Sequence, residues 1–272
     1  MKPFAYQAPT TVEEAVSLLS GEDGRARPLA GGTDLLVQLR NGRYDVDLVV
    51  DVKRIPELTR VSFDAGEGLT VGAAVTCAVL TENEQVCELY PGLIDAASII
   101  GGTAIRGRAT LGGNLCNAAP SGDAISAMIA LGGEAEIAGP DGRRRVPVAD
   151  FCTAPGQTVL QPGELVVVLH FPPPQPKSGA SYLRFIPRGE MDIAVAGAGA
   201  WIVLDEDGAI SEARIALSAV APTPLLVEEA GAALVGQMPS EETFERAASA
   251  AAAAARPIDD MRGTMAQRRH LV

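Results

Sequence analysis

The chain has 272 residues, 47% of them hydrophobic, enough apolar material for a substantial core and for more than one folding unit. With 22 basic against 34 acidic residues the formal charge is −12, so nucleic acids and anionic membrane surfaces are repelled rather than recruited. No apolar run approaches the length that crosses a bilayer and MKPFAYQAPTTVEEA holds no signal-peptide core, so a cytoplasmic protein without an integral membrane segment is expected.

Residues 10–20, TTVEEAVSLLS, place Val12, Ala15, Val16 and Leu19 at helical spacing, with Thr11 as N-cap, acids in the first turn, and Gly21 and Gly24 as stop signals. A short strand over 27–30 then leads into Gly31-Gly32-Thr33-Asp34, and 35–40 reads as a helix stopped by Asn41-Gly42. Glycines placed before a helix start favour phosphate, because free N–H groups and the positive end of the helix dipole point the same way. A plain βα turn has the same appearance. Asp34 suits such an anion poorly and is expected to cap the helix or bond a ribose. Residues 45–52, DVDLVVDV, predict a buried strand broken at Ile55-Pro56, with a first domain boundary near 57. A second strand is expected over 68–75, with Thr76 capping the helix after it, and a further helix over 91–100 ends at Gly101-Gly102.

The stretch 103–130 is the centre of the chain. Thr110-Leu111-Gly112-Gly113-Asn114 offers a hydroxyl, two bare backbones and a side-chain amide within five residues, donors and acceptors without a catalytic acid or base. This is binding chemistry. A backbone without Cβ atoms approaches an anion closely, and two such runs, at 30–34 and 110–114, point to a pyrophosphate held from both sides. A carboxylate placed as Asp123 takes both hydroxyls of a ribose; alternatively Ser121 or Asp123 caps the helix that follows, the preferred reading for Ser121. Residues 164–171 form an apolar strand, and Pro172-Pro173-Pro174-Gln175-Pro176 is a stiff linker marking a domain boundary.

Beyond the linker, 181–186 and 193–204 read as strands, the 205–208 turn closes a hairpin onto 210–220, and Pro222 to Pro224 breaks the pattern. Two helices follow, the second capped by Ser240 and continued through the alanine run 250–255 to Arg256-Pro257. The basic residues of the tail, Gln267-Arg268-Arg269-His270, are read as helix-end charges, with pairing to a partner subunit as the alternative. Cys77, Cys87, Cys116 and Cys152 form no C-x-x-C pair, and with two histidines, His170 and His270, no metal site is expected.

Four segments carry a resemblance to a known family: AGGTD at 30–34, IRGRATLGGNLCNAAPSGD at 105–123, PGELV at 163–167 and RGEMDIAVA at 188–196. In this order they resemble the FAD-binding medium subunit of molybdenum hydroxylases, the group containing the carbon monoxide dehydrogenase and xanthine dehydrogenase flavoproteins. The resemblance implies an α+β protein with a vanillyl-alcohol-oxidase-type FAD-binding fold: subdomains at 1–57 and 58–176, then a C-terminal α+β domain at 177–272. It places Ala30, Gly31, Gly32, Thr33 and Asp34 on the first pyrophosphate loop and Thr110, Gly112, Gly113 and Asn114 on the second. Asp123 falls on an acidic FAD-contacting position, Leu165 and Val166 near the isoalloxazine ring or simply in the core, and Arg184 on a basic position near the cofactor. The function implied is an electron-transfer subunit. Molybdenum cofactor and iron–sulfur clusters belong to separate large and small subunits, assembled as a dimer of heterotrimers, and this chain holds FAD and passes electrons to an outside acceptor. No catalytic residue is named. The cysteine-rich insertion of hydroxybenzoyl-CoA-reductase-type flavin subunits is missing, Cys116 reads as a packed thiol, and no nicotinamide signature stands out. The rival readings are a free-standing flavin oxidoreductase of the same fold, and an adaptor that has lost the cofactor.

Overall fold

The computed structural model describes residues 2–21 and 25–272, so the stop signal expected at Gly24 lies outside the described residues. The chain begins with β1 (Ala5–Gln7), α1 (Val12–Ser20), β2 (Ala26–Leu29), α2 (Leu35–Arg40) and β3 (Leu48–Asp51), a parallel sheet in the order β1-β3-β2. Thr11 caps α1 as expected, its hydroxyl accepting the Glu14 N–H at 3.2 Å. The strand expected over 45–52 is shorter, because the Asp51 carboxylate accepts the Lys53 N–H at 3.0 Å and turns Val52–Arg54 into a 3-10 helix.

After α3 (Pro56–Thr59) come β4 (Val61–Asp64), β5 (Gly68–Gly72), α4 (Cys77–Thr81), α5 (Glu84–Leu89), α6 (Pro91–Ser98), α7 (Thr103–Arg106), α8 (Leu111–Asn117) and α9 (Asp123–Ala130). Then follow β6 (Glu134–Gly139), β7 (Gly142–Pro147), α10 (Val148–Phe151), the ribbon β8 (Cys152–Ala154) with β9 (Gln157–Thr158), and β10 (Leu165–Phe171). These strands build an antiparallel sheet in the order β4-β5-β10-β6-β7. Its central strand β10 is apolar and buried from Leu165 to Leu169 because both faces are covered there, with only His170 breaking the run before Phe171. Val166, Leu169 and Phe171 enter the main core beneath α4, α6, α8 and α9, whereas Leu165, Val167 and Val168 pack with Val12, Leu19 and Val50 of the first layer. One strand therefore joins two cores.

The third sheet, β11-β12-β13-β14, uses β11 (Ser178–Phe185), β12 (Ala196–Leu204), β13 (Ile210–Ser218) and β14 (Leu225–Leu226), all antiparallel. Gly199 lets α9 lie flat on β12, where a Cβ would come 2.8 Å from the Ser126 carbonyl. The proline segment is anchored at its start, where the Tyr90 hydroxyl donates to the Pro172 carbonyl at 2.9 Å. Helices α11 (Glu228–Ala232), α12 (Glu241–Ala254) and α13 (Met265–Leu271) complete the chain. Ser240 caps α12 through the Thr243 N–H at 3.2 Å, and the alanine run is helical through Ala254, with Ala255 already extended before Arg256-Pro257. The basic residues Arg268, Arg269 and His270 lie in the last turn of α13 as the helix-end reading expects, but Arg268 does more. Arg268 is buried and donates to the Val195 and Ala219 carbonyls at 2.7 and 2.9 Å and to Asp260 at 2.8 Å, tying α13 to the sheet.

Candidate functional site

The parallel pairing of β2 with β3 delivers the chain at the edge of the first sheet, where Gly32 turns it with φ of +79° into α2. The N–H groups of Gly32, Thr33 and Asp34 donate to no acceptor among the described residues. Asp34 makes no capping bond, contrary to one expectation for it. Its side chain is open toward the cavity, yet burial by the surrounding protein raises its carboxyl above the ordinary value.

The second segment, expected as a loop, is the first turn of α8: Gly112, Gly113 and Asn114 lie within the helix, and Thr110 caps it, its hydroxyl accepting the Gly113 N–H at 2.9 Å. Gly31 packs on the Arg108 carbonyl so closely that a Cβ would overlap it, and a Cβ on Gly112 would come 2.6 Å from the Ala73 carbonyl. A Cβ on Gly113 would meet only the Thr110 hydroxyl, at 3.0 Å. The first two glycines therefore serve protein packing; the third faces open space.

Both loops open on one cavity of about 560 Å³. Ala30, Gly31, Gly32, Thr33, Asp34, Thr110, Gly112, Gly113, Asn114, Leu165 and Val166 all line it. Leu165 and Val166 are 2% and 5% exposed, so they belong to the core and form a cavity wall together. Asp123 and Arg184 are not among the lining residues. Instead Arg184 Nη1 donates to Asp123 Oδ2 at 2.5 Å and Nη2 to the Ile99 carbonyl at 2.7 Å, tying β11 to the start of α9. Burial pushes the Asp123 carboxyl upward despite the opposing Arg184 charge, and its Oδ1 has no hydrogen-bond partner among the described residues. The cap preferred for Ser121 is absent as well: the helix begins after Gly122, and Asn114 of the second loop accepts the Ala124 N–H at 3.3 Å instead. One loop thus fixes the next helix.

Several contacts escaped the sequence reading because they join distant segments. Gln38 Nε2 donates to Asn117 Oδ1 at 2.8 Å, linking α2 to α8 beside the cavity. Lys53 donates to the Ala30 carbonyl at 3.0 Å. Arg27 lies over the Tyr44 ring, 5.1 Å from its centroid, and both line the cavity. Glu164, at the wall, is paired with Arg144 at 2.7 Å, which holds its carboxyl below the ordinary range. Burial of the Cys116 sulfur, with Cys152 nearby, pushes its thiol up to about 12, so it stays protonated at neutral pH. His170 bonds Glu136 at 3.0 Å, away from the cavity lining. The walls thus combine free backbone donors at the first loop with apolar surface at Leu165 and Val166.

A family model described as the FAD binding domain in molybdopterin dehydrogenase matches residues 2–174, and one described as the CO dehydrogenase flavoprotein C-terminal domain matches residues 181–272. The chain is 34% identical over 270 residues to the xanthine dehydrogenase FAD-binding subunit of Escherichia coli O157:H7, across 98% of this chain and 91% of that one. It is 33% identical over 261 residues to the carbon monoxide dehydrogenase medium chain of Hydrogenophaga pseudoflava, across 96% and 90% of the two. The solved carbon monoxide dehydrogenase of that organism, in a form lacking the Mo-pyranopterin moiety of the molybdenum cofactor, superposes with a TM-score of 0.92 at 34% identity, covering 99% of this chain and 94% of that chain.

Proposed function

Because the chain belongs to the FAD-binding subunits of the molybdopterin dehydrogenases, we propose that it holds FAD between its two glycine loops and passes electrons from iron–sulfur clusters on a partner subunit to an outside acceptor. The observation that carries the reading is the convergence of both glycine segments on one cavity, with N–H groups at Gly32, Thr33 and Asp34 that have no partner among the described residues. The volume of about 560 Å³ lies inside the usual range for cofactor pockets. Backbone at Gly31 to Asp34 and at Gly112 holds the pyrophosphate, and Gly113, whose N–H is taken by the Thr110 cap, leaves room for it to approach. Thr33 and Asn114 supply side-chain donors, and Leu165 and Val166 give the apolar wall for the ring system. When bound, FAD supplies the redox chemistry, taking up electrons and releasing them to the acceptor. The residues present bind, orient and exclude water.

The partners in this reading are a large subunit with the molybdenum cofactor, which selects the substrate, and a small iron–sulfur subunit, arranged as a dimer of heterotrimers. No helix among the described residues is long and apolar enough to cross a membrane. The test is to mix the FAD-loaded chain with a reduced small iron–sulfur partner subunit and follow flavin absorbance by stopped flow. Bleaching that requires the small subunit is expected. An unchanged spectrum while the reduced clusters persist contradicts the electron route.

A further inference from the structure

We infer that Lys53 is a positioning residue for the first glycine loop, pinning the Ala30–Gly31 peptide so that its N–H is presented to an anionic phosphate. Lys53 Nζ donates to the Ala30 carbonyl at 3.0 Å and to Asp51 Oδ1 at 2.7 Å, and the Tyr6 hydroxyl donates to Asp51 Oδ2 at 2.7 Å. Asp51 is itself buried, so the ammonium is held from behind by a fixed carboxylate rather than by solvent. A trans peptide carries its C=O and N–H on opposite sides. Fixing the Ala30 oxygen toward Lys53, which is not a lining residue, therefore aims the Gly31 N–H the other way, and Gly31 does line the cavity. Gly31 also packs against the Arg108 carbonyl, where a Cβ would overlap it, so the loop is held there as well as at the Ala30 carbonyl. Tyr6, Asp51 and Lys53 thus form a chain running from the first strand to the loop, none of them touching the ligand.

The inference rests on the reading of the cavity as an FAD site. Its test is FAD affinity of the full chain by fluorescence titration, with the 31P resonances of the bound pyrophosphate and the melting temperature of the FAD-free chain measured alongside. Lys53→Met is expected to weaken FAD about tenfold, the scale of one charge-assisted hydrogen bond, and to shift the 31P resonances. Lys53→Gln, which keeps an N–H donor without the charge, is expected to recover most of the affinity and the wild-type resonances. Equal losses in both variants would make the effect one of charge and overturn the inference, as would a Lys53→Met chain with wild-type affinity and resonances. If Lys53→Met lowers the melting temperature sharply, Lys53→Gln against the wild type decides: wild-type affinity supports positioning, and loss refutes it. Wild-type chain that takes up no FAD would instead sink the site assignment itself.

Discussion

Gly113→Ala separates binding from folding more cleanly than any other loop substitution. In the FAD-free chain the new Cβ meets one atom, the Thr110 hydroxyl at 3.0 Å, and open space otherwise. Weakening that cap costs about 1 kcal/mol, while replacing a helical glycine by alanine returns about 1 kcal/mol, so stability without ligand is expected to stay nearly unchanged. On the cavity side the methyl group holds the pyrophosphate away from the backbone. Losing one hydrogen bond to a charged oxygen costs about 1.5–3 kcal/mol, or roughly 10- to 100-fold in affinity. Gly31→Ala and Gly112→Ala make the contrast, since their Cβ atoms press on the Arg108 and Ala73 carbonyls and are expected to damage the fold first. The assay is FAD titration paired with thermal melting of the FAD-free chain. A Gly113→Ala protein that binds FAD within threefold of wild type would refute the loop assignment.

Arg184→Met strands the Asp123 carboxylate in the interior and is expected to cost about 3–5 kcal/mol in urea unfolding. The Asp123 carboxyl is displaced upward when folded, so its contribution favours the native state below its ordinary pKa of 3.8 and is lost as pH rises through the folded value. Unfolding profiles of the Arg184→Met chain should therefore fall more steeply with rising pH than those of wild type, and parallel profiles would contradict this. Asp51 has the opposite sign: burial alone would raise it, but hydrogen bonds from Lys53 and Tyr6 outweigh burial and hold it below 3.8. Its stabilisation is present above 3.8 and disappears as pH falls, so wild type and Asp51→Asn should converge in stability in acid. Gln38→Leu removes the side-chain link between α2 and α8 and should speed FAD release several-fold while leaving the melting temperature within a few degrees, checked by stopped-flow displacement.

The first glycine loop is legible because it is a local pattern, a strand, bare backbone, then a helix start, whereas the second shows only as composition, since its glycines follow α7 and lie within α8. The apolar run of β10 and the capped alanine helix α12 were legible for the same reason as the first loop, each being written in contiguous side chains. What escaped was tertiary. Asn114, not Ser121, supplies the cap of α9 across ten residues of sequence, and Arg268 reaches carbonyls at Val195 and Ala219. Strand β4 was missed since VSFD is short and only half-buried, leaving no clear alternation to read. Asp123 and Arg184 were each singled out for the cofactor, but their pairing with one another joins residues 61 apart and no local spacing encodes it.

The most direct test of the central claim is an absorption spectrum of the purified chain, with the released cofactor identified by mass and quantified. FAD at about one per chain, held by wild type and lost by Gly113→Val, is the expected result. A colourless wild-type chain that also fails to take up added FAD would contradict it and leave an adaptor that kept the fold without the cofactor.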